Sequence, residues 1–343
     1  MKNSSEVNVS IIIPVYNVEP YIETCLKSVI RQTYRGTMEC VVVDDCGTDD
    51  SIAIVEQILA SYVGDIRFTI VHHERNRELS AARNTGTAAA TGEYVYYLDG
   101  DDEITEDCIE KMMAEAASDP AVEIVQGRYR RSDLKKPIPD VRDLQIAHAT
   151  GNEEVRRIFY DKRQFVVSAW NKLIKRSFIL QYGFQFKEGL LWEDGLWLFF
   201  ILKYVTNVSF ISDVTYLYRM RPGSIVSSTD KKTFAKHKAV FFYEILKNLT
   251  PGDEKSELKL IMKDKFAKHY MRFNRVLPEH EDVFSFLWEM AGEYRAYGLK
   301  ARLAICKILG KTKYGWMVIP IGERLRHPRY ILNDFRRLRG WIG

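Results

Sequence analysis

Three carboxylates stand within four residues at Asp99-Gly100-Asp101-Asp102, directly after an apolar run. Carboxylates that close repel one another unless a cation or a set of donors sits among them. Hard oxygen ligands of this kind suit Mg2+ or Mn2+, whose shell is completed by water and a substrate's phosphates. Two other apolar runs end in polar chemistry, Pro14-Val15-Tyr16-Asn17 after the first and Asp44-Asp45 after the second. A single Asp after a strand is ordinarily a turn former or a helix cap, a reading that fails for the cluster at 99–102. A diphosphate bridged by a divalent metal is the chemistry expected. The usual phosphate cradles are missing: no G-x-G-x-x-G follows the first run, and Gly310-Lys311-Thr312 has Ile305 where a P-loop needs glycine.

The elements that must carry these groups follow from periodicity. Residues 9–15, 40–43, 68–71 and 94–98 are short β-rich apolar runs. Between and after them, 18–31, 51–60, 80–90 and 105–117 show helical spacing, with Asp49 or Asp50 and Thr105 as N-caps. Strands alternating with helices mean βαβ units and a parallel sheet, whose ligands bind at the carboxyl ends of the strands. The acids above are all at such ends. Past residue 124 the pattern loosens. The basic cluster at 128–131 and the proline-containing stretch 135–140 read as an excursion or loop. Residues 153–160 and 196–204 read as helix, 209–218 as strand, and everything from 231 onward as helical.

Composition narrows the class. Of 343 residues, 46% are hydrophobic and 28% charged, which excludes wholesale disorder. Five cysteines without a C-x-x-C exclude a zinc ribbon, a thioredoxin-type site and a disulfide framework. Reduced thiols in a cytoplasmic protein are expected. No secretory h-region precedes the first strand, and no stretch of about 18 apolar residues could span a membrane. The net charge of +4 conceals a segregation: residues 311–343 carry eight Lys/Arg against two acids, so the rest of the chain is slightly negative. That basic end is interleaved with Trp316, Ile319, Phe335 and Trp341, a pattern suited to an amphipathic element on an anionic membrane surface. A helix packed on the protein body is the alternative. No nucleic-acid-binding motif accompanies the charge, so no nucleic acid partner is expected.

The runs SIIIPVYNVEPYIETCLKSVIRQTY, VVVDDCGTDDS and LSAARNTGTAAATGEYVYYLDGDD resemble family 2 glycosyltransferases of the GT-A fold over residues 9 to 110. Weaker echoes continue at Trp170-Asn171-Lys172-Leu173, Trp192-Glu193-Asp194 and Arg221-Pro222-Gly223-Ser224-Ile225. One departure is Asp45-Cys46-Gly47, where the family more often has D-G-S. The resemblance implies an α/β fold with a mostly parallel twisted sheet and flanking helices, followed by a C-terminal α-helical region. It implies a nucleotide-sugar-binding half over 1–125, an acceptor-binding half over 126–228 and the helical region over 229–343.

The same resemblance implies roles. Asp45 would hydrogen-bond the nucleotide base, with Pro14, Tyr16, Asn17 and Glu19 bordering that pocket. Arg83 and Asn84 would lie near the nucleotide and donor sugar. Asp99 would contact ribose or metal, Asp101 would be the main metal ligand, and Gly100 and Asp102 would complete the loop. Asp194 of the Glu193-Asp194 pair would be the general base of an inverting transfer from a nucleotide sugar, a UDP-sugar by expectation, to a saccharide or lipid-linked saccharide. The competing reading of that pair is a helix cap near Gly195. Trp170 and Trp192 either stack on a sugar face or pack in the core. His72 and His73 leave their strand on opposite sides and are expected to be structural. The setting implied is bacterial surface polysaccharide synthesis, with the enzyme cytoplasmic or peripheral at the inner face of the membrane. A nucleotidyl- or phosphoryl-transferring enzyme with the same metal site is the alternative within enzymes, and a silent scaffold on this fold the alternative outside them.

Overall fold

The computed structural model describes residues 7–131, 146–159 and 164–221, together with Thr233, His237, Val240, Phe241, Glu244, Ile245 and Asn248. The chain divides into two compact units, Met1–Ser228 and Thr229–Gly343. In the second unit, the described positions from Thr233 to Ile245 are helical, as expected there. The remaining C-terminal expectations, including the basic segment 311–343, lie outside the described residues, as do the stretch 135–140 and the echo at 222–225.

The first unit is built on one sheet in the order β3-β2-β1-β4-β8-β6-β9-β5, with β7 added on β9. Its first half is the expected parallel βαβ succession: β1 (Val9–Val15), β2 (Met38–Asp44), β3 (Arg67–His72) and β4 (Tyr94–Tyr97). Strand β1 is central, with Ile11 opposite Cys40 on one side and Tyr96 on the other. Buried on both faces by helices, β1 can afford no polar position except Ser10, whose hydroxyl donates to the buried Glu39. Burial alone would push the Glu39 carboxyl up. Donors from Ser10, Arg67 and Thr91 hold it below the usual range and tie the lower edge of the sheet together.

Helices α1 (Glu19–Ile30), α2 (Ser51–Ala60), α3 (Glu78–Ala89) and α4 (Cys108–Ser118) follow the strands. Apolar spacing explains α1, which buries Ile22, Cys25, Leu26 and Val29 on one face. Helix α3 lies close on β1 because Gly86 has no side chain; a Cβ there would be 2.3 Å from Ile12 Cγ2.

The second half of the sheet is mixed. Between β4 and β6 (Ile124–Arg131) runs β8 (Lys172–Lys175), antiparallel to both, and β9 (Asn207–Tyr218) lies parallel to β6. The short β5 (Glu103–Ile104) and β7 (His148–Thr150) pair antiparallel with β9. Helices α5 (Asn152–Arg157), α6 (Arg176–Tyr182) and α7 (Glu193–Leu202) complete the described unit. Among the described residues, no helix is long and apolar enough to cross a membrane.

Two local expectations are corrected and a third is narrowed to one of its alternatives. Arg128–Arg131, expected as a loop, extends β6, because pairing with β9 overrides the basic composition. Thr105 does not cap α4: the helix begins at Cys108, and the Thr105 hydroxyl donates to Asp107. The α2 start uses the Asp49 carboxylate, which accepts from the Ser51 N–H, while Asp50 makes no side-chain cap.

Candidate active site

The carboxyl ends of β1 and β2 meet the starts of α1 and α2, and the two helix starts hold each other. Glu19 N–H donates to Asp49 Oδ2 at 2.9 Å, Asp50 N–H donates to Glu19 Oε2 at 3.2 Å, and Val18 N–H donates to Ser51 Oγ at 3.0 Å. Asn17, in left-handed geometry at φ 51°, accepts from Thr48 N–H at 2.8 Å. Around these groups lies a small polar cleft lined by Val15, Asn17, Asp44, Gly47, Asp49 and Ser51. Glu19 and Asn17 thus shape the cleft through backbone contacts. Pro14 is buried, while Tyr16 is 41% exposed.

Asp44 and Asp45 point to opposite sides, and each takes the histidine beside it on β3. His72 Nδ1 is 2.9 Å from Asp44 Oδ2, and His73 Nδ1 is 2.6 Å from Asp45 Oδ1. Asp44 reaches the cleft. Asp45 is buried, its Oδ1 also accepting from Arg77 N–H, while His73 Nε2 contacts Thr85. The structure therefore places Asp45 as the anchor of the 73–77 turn, and it brings Asp44, which the sequence reading named as a strand-end acid without a role of its own, to the cleft. Register explains the pairing: Asp44 stands opposite His72 in the parallel β2–β3 ladder.

The loop after β4 is packed under β1. Gly100 admits no side chain, since a Cβ would be 2.9 Å from the Pro14 carbonyl oxygen. Asp102 is buried and turned inward: Oδ2 accepts from the Tyr216 hydroxyl and Oδ1 from Arg219 N–H, both at 2.7 Å. Burial, with Asp99 and Asp101 nearby, pushes it up to about 8. Its geometry is that of a loop anchor on the end of β9. Asp99 and Asp101 remain partly open, at 22% and 20% side-chain exposure. Asp101 is raised by burial and by the charge of Asp99, against the pull of Arg221, whose Nε donates to Asp101 Oδ2 at 2.5 Å. Arg219 and Arg221 both lie over the Tyr21 ring.

Arg83 joins this loop to α7. Its side chain is 1% exposed, and it donates to Asp99 Oδ1 at 2.7 Å, Glu193 Oε1 at 2.6 Å and Asp194 Oδ1 at 2.8 Å. Burial would strip its charge, but the three carboxylates hold its pKa well above the ordinary value. Glu193 is buried and raised by burial and by Asp194. Asp194 is also raised by burial, against the pull of Arg83, and keeps 24% side-chain exposure. Both acids sit in the first turn of α7, where the helix dipole favours anions. Neither serves as the N-cap; that position is Trp192, in left-handed geometry at φ 61°. Asn84 uses both ends of its amide on the backbone of Phe186, at 2.8 Å each, fixing the segment that leads into α7.

Among the expected site residues, Asp99, Asp101 and Asp194 stay partly exposed; a buried Arg83 links Asp99 to Asp194, while Asp101 is held by Arg221. It places Asp45, Asn84, Asp102 and Glu193 against protein partners. Trp170 stacks on Tyr216 and Tyr218, with centroids 4.5 and 5.5 Å away, which is the core-packing alternative. The sequence reading gave no role to Lys172, which is buried near Asp194. Its signal was a lysine preceding Leu173 and Ile174 in a run with no other reason to carry charge.

A family model described as glycosyl transferase family 2 matches residues 10–183, just over half of the chain. The chain belongs to glycosyl transferase family 2. Relatives of this family 2 chain include EpsH of Bacillus subtilis (strain 168), which carries a glycosyltransferase name. It is 33% identical over 241 residues, covering 68% of this chain and 67% of EpsH. Glycosyltransferase GlyA of Streptococcus pneumoniae is 34% identical over 227 residues, 63% of this chain and 31% of GlyA. Among solved structures, S. aureus TarS 1–349 in complex with UDP-GlcNAc superposes with a TM-score of 0.61 at 20% identity, covering 92% of this chain and 82% of that one. The mannosyltransferase PcManGT from Pyrobaculum calidifontis, in complex with GDP-Man and Mn2+, gives 0.57 at 18% identity, covering 91% and 88%. These structures share the fold, so this family 2 enzyme has GT-A architecture.

A divalent cation, common in the family, can be tested against the residues present. Among the described residues, no three His, Cys, Asp or Glu side chains converge into a ready-made cage. Asp99 and Asp101 nevertheless offer hard oxygens on an open side, and each shares its carboxylate with a guanidinium that balances charge there. Two protein oxygens, with waters and phosphates completing the shell, are the arrangement suited to Mg2+ or Mn2+. The residues fit that group.

Proposed function

We propose that this glycosyltransferase moves a sugar from a nucleotide-diphosphate donor, a UDP-sugar, to a hydroxyl of a saccharide or lipid-linked saccharide, with inversion, in polysaccharide biosynthesis. The observation that carries this reading is the partly open Asp194 carboxylate joined by one buried arginine to the partly open Asp99. In this reading Asp194 serves as the base and Asp99 faces the diphosphate, and their shared contact with Arg83 supports holding the two at a fixed separation. The TarS complex with UDP-GlcNAc supports the nucleotide-sugar donor.

In this mechanism the acceptor oxygen attacks the anomeric carbon from the face opposite the diphosphate. The carbon–phosphate oxygen bond breaks, and Asp194 takes the acceptor's proton. Arg83 keeps Asp194 and Asp99 aligned, and the α7 N-terminus favours the ionised base. Asp101 and Asp99 would hold the Mn2+ or Mg2+, which when bound supplies charge neutralisation for the leaving nucleoside diphosphate.

A panel of nucleotide sugars, assayed for metal-dependent hydrolysis and for the product formed, tests the reading. Release of free sugar and nucleoside diphosphate supports it; transfer of the nucleotide instead would replace it with nucleotidyl transfer. Mn2+ together with the cognate nucleoside diphosphate is expected to raise the melting temperature. At about 100 times Kd the gain is about 2.7 kcal/mol. Asp101→Asn should lose most of the metal-dependent part, and an unchanged gain in that variant would remove Asp101 as the ligand.

A lipid-linked acceptor would sit in the bilayer, and the basic, aromatic segment 311–343 suits attachment beside it. The full chain is expected to float with vesicles containing anionic lipid and to stay in the soluble fraction with neutral ones. Equal partition on both would count against docking by charge.

A further inference from the structure

Three arginines stand around the acids of the loop after β4, and they are held differently. Arg83 is buried and shared among Asp99, Glu193 and Asp194. Arg219 is tied twice: its N–H donates to Asp102 Oδ1 at 2.7 Å, and its guanidinium pairs with Glu103 on β5, which is laddered to β9. Arg221 lies three residues past the end of β9. Among the described residues its guanidinium meets one carboxylate, with Nε donating to Asp101 Oδ2 at 2.5 Å. Both side chains of that pair keep about a fifth of their surface in water, so Arg221 is the guanidinium that can leave.

Tyr21, in the first turn of α1, sets where Arg221 rests. The guanidinium carbons of Arg219 and Arg221 lie 5.3 and 5.8 Å from its ring centroid, within the range of cation–π attraction. Two cations on one ring also repel each other, which loosens the less firmly tied Arg221. Asp101 is the acid assigned to a divalent cation. A small dication sits about 2.1 Å from a carboxylate oxygen. On Asp101 Oδ2 it would come within about 5 Å of Arg221 Nε, a separation at which two positive groups repel strongly. Arg221 and the metal therefore compete for one carboxylate.

We propose that Arg221 is an internal counter-ion of Asp101 that competes with the divalent cation, so that metal binds firmly only together with the donor's diphosphate. The proposal rests on the reading of Asp101 as a metal ligand. With metal alone, Arg221 must turn out toward water, and a dication joins a loop that already holds Arg83 and Arg219. With a diphosphate present, the released guanidinium gains an anion whose oxygens match its planar fork. Arg221 in this role sets the order in which the site fills.

Mn2+ binding to the full chain, read from the EPR signal of free Mn2+, tests this without turnover. Asp101→Asn identifies the part of the binding that belongs to this site. Arg221→Gln is expected to bind Mn2+ alone about 10-fold more tightly than wild type, since one charge-assisted hydrogen bond no longer has to be broken. Arg221→Lys, which keeps the charge, should stay near wild type. With UDP present the gain of Arg221→Gln should vanish, so the factor by which UDP tightens Mn2+ should fall about 10-fold. A merely structural ion pair would lower the melting temperature when lost and leave Mn2+ affinity unmoved. Equal or weaker Mn2+ binding by Arg221→Gln, or a UDP factor equal to that of wild type, would overturn the proposal. Should that variant fail to fold, NMR on the wild-type chain decides. The Arg221 Nε–H signal, assigned through Arg221→Lys, is expected to lose its protection from water exchange as Mg2+ fills the site. Unchanged protection at saturating Mg2+ would overturn the proposal. Mn2+ binding that survives intact in Asp101→Asn would sink the reading of Asp101 as a ligand and the proposal with it. Binding that needs Asp101 but ignores Arg221 would sink the proposal alone. A chain that binds no UDP would sink the UDP-donor reading, and the comparison on Mn2+ alone would still judge Arg221.

Discussion

Replacing Asp194 with Asn is expected to cut sugar transfer by about 10²–10⁴-fold, the usual contribution of a positioned general base. The amide oxygen of Asn can still accept from Arg83, so the side chain should hold its place. What it cannot do is take a proton. Binding of the nucleoside diphosphate, measured by calorimetry, should therefore remain close to wild type, because the proposed reading assigns the diphosphate side to Asp99 and Asp101. Burial and neighbouring Asp99 raise Asp194 above the ordinary carboxylate range, so wild-type activity should fall on acidification earlier than an exposed aspartate would predict. That acid limb should vanish from the residual activity of the Asn variant. Near-normal turnover, or an unchanged acid limb, would remove Asp194 from the mechanism.

Replacing Arg83 with Met should unfold the chain more readily than any of the site-acid variants. Arg83 is the cation common to Asp99, Glu193 and Asp194, and its removal leaves three carboxylates crowded around a buried apolar group. Breaking a buried pair by deleting one partner costs about 3–5 kcal/mol. For a unit of this size each kcal/mol lowers the melting temperature by about 2–4 °C, so a fall of about 10 °C is expected by calorimetry or circular dichroism. Raising pH should deepen the loss as the carboxylates ionise. Lys is no substitute, because one ammonium cannot present the planar fork that meets three carboxylates at once. An Arg83→Met chain that melts with wild type would show that the cluster is not held as the geometry requires.

How far the sequence reading reached can be traced through particular residues. The parallel half of the sheet was readable because β1, β2 and β4 are buried on both faces and therefore appear as unbroken apolar runs. The acids at their ends were readable for the same reason, since the carboxyl ends of parallel strands share one rim. The short β8 and the basic end of β6 were not. Lys172 and Lys175 flank only two apolar residues, and Arg128–Arg131 alternates no clear pattern, so both strands exist through pairing with distant partners. Thr105 failed as a cap because a nearer acceptor, Asp107, took its hydroxyl.

The alternation of strand and helix, the family and the presence of acids at the strand ends are local properties, written in periodicity and short motifs. Which acids stay open to solvent is a different matter. All four of Asp44, Asp45, Asp101 and Asp102 have a protein partner, yet Asp45 and Asp102 are buried against His73, Arg77, Tyr216 and Arg219, while Asp44 and Asp101 keep part of their surface open. Arg83 meets Glu193 and Asp194 across more than a hundred residues. Chemistry of this kind depends on hydrogen bonds between segments remote in sequence, and no local pattern encodes whether a carboxylate will be satisfied by protein or left open. Folding decides that, because burial removes the water that would otherwise satisfy each acid equally.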